Sequence, residues 1–134
     1  MRNLIKMGSK FFLLILLVSS FSFAQKVYFC EGVNDNGSPI NDASEFTIGS
    51  SGGYLYVLTK LYSKCNTKEA IIDIFKVGYD GKESFVNTVY VDTERSWTWF
   101  WKKVTFKNSG KYNVYVYDED EKLLASGTVR ISFD

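Results

Sequence analysis

From Lys26 onward the chain is a succession of short runs rich in Val, Ile, Tyr, Phe, Thr and Trp, each closed by a cluster of turn residues. β-Branched and aromatic side chains fit a pleated, half-buried surface and lose rotamer freedom in a helix. The pattern predicts strands over Lys26–Gly32, Glu45–Ile48, Tyr54–Tyr62, Ala70–Val77, Glu83–Val91, Trp97–Lys107, Lys111–Tyr117 and Leu123–Phe133. Turn chemistry separates them at Asn34–Pro39, Gly49–Gly53, Gly78–Gly81, Asn108–Gly110 and Asp118–Lys122. Only Ala70–Val77 has a rival reading. Thr67 could cap a helix through Lys-Glu-Ala-Ile-Ile-Asp, whereas three isoleucines and a valine favour a strand. Seven to eight strands without a clear helical period indicate an all-β fold, an antiparallel β-sandwich in a single domain over residues 25–134.

The start of the chain has a different character. Arg2, Lys6 and Lys10 precede the unbroken apolar run Phe11–Val18, and Ser19, Ser20, Ser22 and Ala24 follow. A basic start, a short apolar core and small residues at its end make a secretory signal peptide over residues 1–24, cleaved before Gln25. The core is well short of the roughly 20 apolar residues that cross a bilayer, so no stable membrane span is expected once the signal is removed. Tyr28 and Phe29 before Cys30 are too bulky for a lipoprotein box. The ending Phe-Ser-Phe-Ala-Gln resembles the signal ends of many Gram-negative envelope proteins, which implies an exported chain, periplasmic or secreted.

Composition limits the chemistry. The 134 residues include no histidine. That removes the commonest general base, the Ser/His and Cys/His nucleophile pairs and every His-containing zinc site. Sixteen basic against 15 acidic residues leave no nucleic-acid footprint. No Ser-x-x-Lys is present, and Gly49–Gly53 leads into a strand rather than a phosphate-binding helix. The acidic run Asp118–Glu121 lacks a shaping glycine and reads as a solvated hairpin tip, and Asn34–Gly37 as a turn, so no metal and no cofactor is expected. Two cysteines, Cys30 and Cys65, form an even count in an exported chain, which favours one disulfide; two separate buried thiols, or one reactive free cysteine, are the alternatives.

The C-terminal part carries a resemblance. Val104-Thr105-Phe106, Asn108-Ser109-Gly110-Lys111-Tyr112, then Val114, Val116 and Asp118 resemble an immunoglobulin-like module of bacterial exported proteins over about residues 95–133. The resemblance implies an immunoglobulin-like sandwich with Tyr112 as its tyrosine corner. It departs from the antibody type, because Val114 stands where the second cysteine would be.

The most unusual segment is Trp97-Thr98-Trp99-Phe100-Trp101. Strand period two puts Trp97, Trp99 and Trp101 on one face and Thr98 and Phe100 on the other. With an unbroken register through Val104 and Phe106 the indoles face outward as an aromatic platform for a sugar or an apolar partner. A bulge at Lys102–Lys103 would turn them into the core instead. The expectation is a split stripe, with at least one indole in the core and Trp97 at the rim. Tyr115 and Tyr117, on the face opposite Tyr112, Val114 and Val116, would either extend such a platform or simply cover a strand surface.

These readings lead to an exported, non-catalytic binding module whose partner is a protein or a glycan, with Trp97, Trp99, Trp101, Tyr115 and Tyr117 as candidate ligand-binding residues. A purely structural protein pairing through strand edges is the second expectation. A carboxylate hydrolase is a distant third, since nothing singles out a pair of carboxylates.

Overall fold

The computed structural model describes residues 25–50 and 52–134; the expected signal peptide lies outside them. Ten strands form: β1 (Lys26–Cys30), β2 (Gly32–Val33), β3 (Pro39–Ile40), β4 (Glu45–Ile48), β5 (Tyr54–Lys60), β6 (Glu69–Val77), β7 (Glu83–Asp92), β8 (Trp99–Thr105), β9 (Gly110–Tyr117) and β10 (Leu123–Phe133). The 69–77 segment is therefore a strand, as its isoleucines require. The first expected strand breaks at Glu31, and the Trp97 strand starts two residues later than expected.

Eight strands make two sheets, one ordered β1-β5-β8 and the other β4-β10-β9-β6-β7, with β2-β3 as a separate ribbon. Pairing is antiparallel throughout except for β4, which runs parallel to β10. β1, β5 and β8 thus occupy the A, B and E places of an immunoglobulin-like sandwich. β6, β9 and β10 occupy C, F and G, with β7 as the additional strand beside C. Tyr112 confirms the corner between the sheets. Its hydroxyl donates to the Asn108 carbonyl at 2.6 Å, and its ring lies 5.0 Å from that of Phe106. Val114 is fully buried two residues later.

The core lies between the sheets. Val27 and Phe29 of β1, Leu55 and Val57 of β5, and Phe100 and Val104 of β8 face Ile72, Ile74, Val114, Val116, Val129 and Ile131 of the other sheet. Each of these alternates with outward residues along its strand, which is what one buried face per sheet demands. Burying a side chain of this size contributes about 1.5–3 kcal/mol, so the alternation is the chief stabilising term.

The three-stranded sheet also has a covered outer side. Cross-strand register puts Tyr28, Leu58 and Trp101 in one row, and Cys30, Tyr56 and Lys103 in the next. Leu58 and Cys30 are nevertheless 0% exposed and lie outside the main core. The hairpin joining β2 and β3 closes over them, and its Gly37 sits directly on the Trp99 ring. Gly37 has φ +83°, and a Cβ there would fall 2.6 Å from the indole, so only glycine fits. Asn34 shapes the turn: its Oδ1 accepts from the Asn36 and Ser38 amides at 3.2 and 2.9 Å.

The expected disulfide is not formed: Cys30 and Cys65 are both free and buried. They sit toward opposite ends of β5, Cys30 opposite Tyr56 and Cys65 beyond Lys60. Each thiol serves its own surroundings. Cys30 is tucked under the hairpin, 3.7 Å from the Tyr56 carbonyl. Cys65 donates to the Glu94 carbonyl at 3.2 Å.

Candidate functional site

The register between β5 and β8 runs without interruption from Tyr54↔Thr105 to Lys60↔Trp99. No bulge occurs at Lys102–Lys103, and the split-stripe expectation is corrected accordingly. Phe100 and Val104 point into the core, while none of the three indoles does. Trp97 and Trp101 are 42% and 41% exposed, and Trp99 is half-buried against Gly37. Trp97 is at the rim as expected, but it belongs to the turn before β8 rather than to the strand.

Two stretches of backbone fix that turn. The Leu61, Cys65 and Asn66 amides donate to the carbonyls of Thr98, Trp97 and Arg95 at 2.8, 2.8 and 3.0 Å. The Thr93 amide donates to Lys68, and the Trp97 amide closes back on Glu94. Side chains complete the brace: Thr93 Oγ1 donates to Thr67 O at 2.6 Å, and Arg95 to Asn66 O at 2.9 Å. Trp97 is therefore held by a laced double loop that fixes the backbone carrying its indole.

The indoles line a cleft of about 600 Å³ with Val91, Asp92, Ser96, Thr98 and Phe100. It opens where β7 and β8, each the last strand of its sheet, come together. Such a volume is within the range of small-ligand sites. The wall combines three tryptophans with one carboxylate and two hydroxyls.

The aromatic surface continues onto β5. Tyr56 lies 4.9 Å from Trp101 with the rings tilted by 49°, and Tyr54 lies 6.1 Å from Tyr56 at 59°. Lys103 Nζ stands 4.7 Å over Tyr54 and 5.6 Å over Tyr56. The result is a faceted groove rather than a flat plane. Tyr54 and Tyr56 were not singled out from the sequence. Their alternation with Leu55 and Val57 carried the signal, since it places both on the outer face.

Tyr115 and Tyr117 do not join this surface. The chain crosses to the other sheet at the tyrosine corner, so β9 belongs to the five-stranded layer and its two tyrosines lie on that layer's outer side. There the Tyr115 hydroxyl donates to Glu83, and its ring meets Phe75 edge-on at 5.7 Å. Asn113 also donates to Glu83, at 2.7 Å. These bonds hold the Glu83 carboxyl below the usual carboxylate range, that from Tyr115 most strongly. The same bond pushes the Tyr115 phenol up, with burial adding to it. This is a sheet-surface tie rather than a cavity.

Among the described residues no group of three or more Asp, Glu or Cys side chains converges as a metal site would require. Asp118–Glu121 forms the tip between β9 and β10, where Asp118 Oδ1 accepts from the amides of Asp120 and Lys122 at 2.9 Å.

No protein-family model matches the chain, and no curated protein does. Solved structures are similar to it in overall shape. An immunoglobulin-like protein from Pseudomonas aeruginosa is 13% identical, with a TM-score of 0.48, over 78% of this chain and 90% of its own. A superoxide reductase (neelaredoxin) from Ignicoccus hospitalis is 10% identical, with a TM-score of 0.46, over 88% and 86%.

Proposed function

We propose that this chain is an exported, non-catalytic binding module of the bacterial envelope, and that its ligand occupies the tryptophan cleft. The observation that carries the reading is the placement of all three indoles of the chain on one accessible cleft outside the core. Exposed tryptophans are an aggregation hazard unless a partner covers them. The mixture of surfaces favours a glycan. Indole faces take the C–H side of a sugar ring, while Asp92 accepts from its hydroxyls and Ser96 and Thr98 exchange hydrogen bonds with them.

The chain's periplasmic or secreted location rests on its N-terminal segment. The non-catalytic reading rests on the composition, which lacks a histidine and a recognisable nucleophile–base pair.

Assembly through strand edges is the second reading, and one observation favours it. β7 is a ten-residue edge strand with Phe85, Val86 and Tyr90 exposed along it. A long apolar edge is a template for pairing. The bulge between Ile74 and Phe75 in the β6–β7 ladder interrupts that edge and works against it.

The test is an array of bacterial glycans probed with the protein and with Trp97→Ala and Trp101→Ala, beside a pull-down of envelope proteins. Glycan binding that both substitutions abolish supports the reading. Capture of a protein that survives both substitutions and requires β7 overturns it in favour of edge pairing.

A further inference from the structure

The turn that joins β2 and β3 is exposed at Asn34, Asp35 and Asn36, yet the next residue, Gly37, is buried. The Trp99 ring covers it. A Cβ on Gly37 would fall 2.6 Å from both ring-fusion carbons of the indole, Cδ2 and Cε2, and 2.8 Å from Cγ. The fusion carbons have no open edge, so an atom almost equidistant from these three stands over the ring face. One face of Trp99 is therefore closed by the hairpin backbone. Trp99 also lines the tryptophan cleft, and what it offers there is its other face and its edges.

Packing, rather than a ladder, holds the hairpin down. β2 and β3 pair only with each other. Among the described residues, the backbone hydrogen bonds of residues 32–40 all close within 31–40. Under the hairpin lies Cys30, 0% exposed, with the backbone of Gly32 and Ile40 beside its thiol. A segment with so few bonds to the body of the fold opens more readily than the sheets do. Its seat is the indole.

We infer that the hairpin is a working part of the tryptophan cleft, in which Gly37 is the positioning residue that sets the plane of Trp99, and that ligand binding and hairpin closure strengthen each other. The inference rests on the glycan reading above. With the hairpin closed, Trp99 is backed on one side, and a sugar ring stacks on the side left free. With the hairpin open, the ring loses its backing, and a ligand must then bear the cost of ordering it. Such coupling is reciprocal, so a sugar that holds Trp99 also holds the hairpin over Cys30.

The test reads Cys30 and the indoles together. Iodoacetamide labelling, located by peptide mass, reports hairpin opening at Cys30, with Cys65 as the internal reference. Cellotetraose and chitotetraose, whose β-linked rings present flat C–H faces, are the probes. In Gly37→Ala the added methyl displaces the indole, so Cys30 should label faster while Cys65 keeps its rate. Asn34→Ala loosens the turn without intruding on the ring and should act in the same direction, which covers a Gly37→Ala that folds poorly. Gly81→Ala, at φ +82° with nothing within 4 Å of its Cβ, carries the backbone strain alone and should change neither thiol. Bound sugar should slow Cys30 labelling in the unaltered protein. Gly37→Ala should bind it about threefold to tenfold more weakly, the loss expected for one misplaced stacking ring. Unchanged Cys30 labelling in both hairpin variants overturns the inference and leaves the cleft reading standing. So does a sugar that shifts the Trp97 and Trp101 indole N–H signals without protecting Cys30. Failure of both sugars to shift any indole signal overturns the glycan reading, and the coupling with it.

Discussion

Thr59 shows how single residues report on this fold. Its side chain is fully buried on the inner face of β5, and its Oγ1 has no hydrogen-bond partner. An unpaired buried hydroxyl costs about 1–3 kcal/mol, so Thr59→Val is expected to stabilise the domain by about 1 kcal/mol in urea unfolding. A loss of stability would mean that the hydroxyl is paired. The thiols provide a second residue-scale prediction. Native protein prepared under oxidising conditions should carry two free thiols that react with a thiol reagent only when the fold opens. Burial raises the Cys30 thiol above its ordinary value, opposed by the backbone of Gly32 and Ile40, which slows it further. An intact mass two hydrogens lower, from a Cys30–Cys65 bridge, would contradict the structure.

The Glu83–Tyr115 tie has a defined pH window. A depressed carboxyl contributes stability in full above its unfolded value, and the contribution is lost as pH falls through the folded value. A raised phenol contributes below its ordinary value, and that contribution is lost as pH rises through the folded value. The bond is therefore complete across neutral pH and fails at both extremes. Carboxyl carbon NMR should show Glu83 titrating low, and Tyr115→Phe should move it upward. An unmoved titration would exclude the tie.

At the scale of elements, β8 shows how an aromatic edge strand stays unpaired. Lys102 shares the inward face with Phe100 and Val104, yet it is exposed because β8 ends its sheet. A charge on that face blocks a further strand from docking. Lys102→Val removes the block, and the variant is expected to self-associate in size-exclusion chromatography. A monomeric Lys102→Val would show that the edge is protected by other means. The strands themselves were legible from alternation, and so was the outward direction of the indoles once the register is unbroken. What one element does to a distant one was not. The polar segment 31–38 carries no sign that it will fold back over Leu58 and Cys30. That placement depends on Gly37 meeting Trp99, which lies 62 residues away. The same holds for the thiols: an even count states what could pair, while burial in separate surroundings decides that they do not.

The whole molecule is a sandwich with two dissimilar ends. The tryptophan cleft lies beside the Val91–Asp92 end of β7, and the Gly78–Gly81 turn leads into its other end. The sandwich was legible because two sheets with one buried face each leave a period-two record along every strand. The grouping of site residues was less so. Tyr115 and Tyr117 resemble the tryptophans in spacing, but the crossover at Tyr112 sends them to the opposite layer. Tyr54 and Tyr56 are far away in sequence and are brought beside Trp101 by the β5–β8 ladder. The most direct measurement follows from there being only three tryptophans, all in one cleft. Their three indole N–H resonances can be followed while an oligosaccharide selected on the glycan array is added. All three are expected to shift together and saturate, with the amides of Val114 and Val129 in the core unmoved. Indole signals that stay in place while binding proceeds would show that the ligand sits elsewhere and that the tryptophan cleft is not its site.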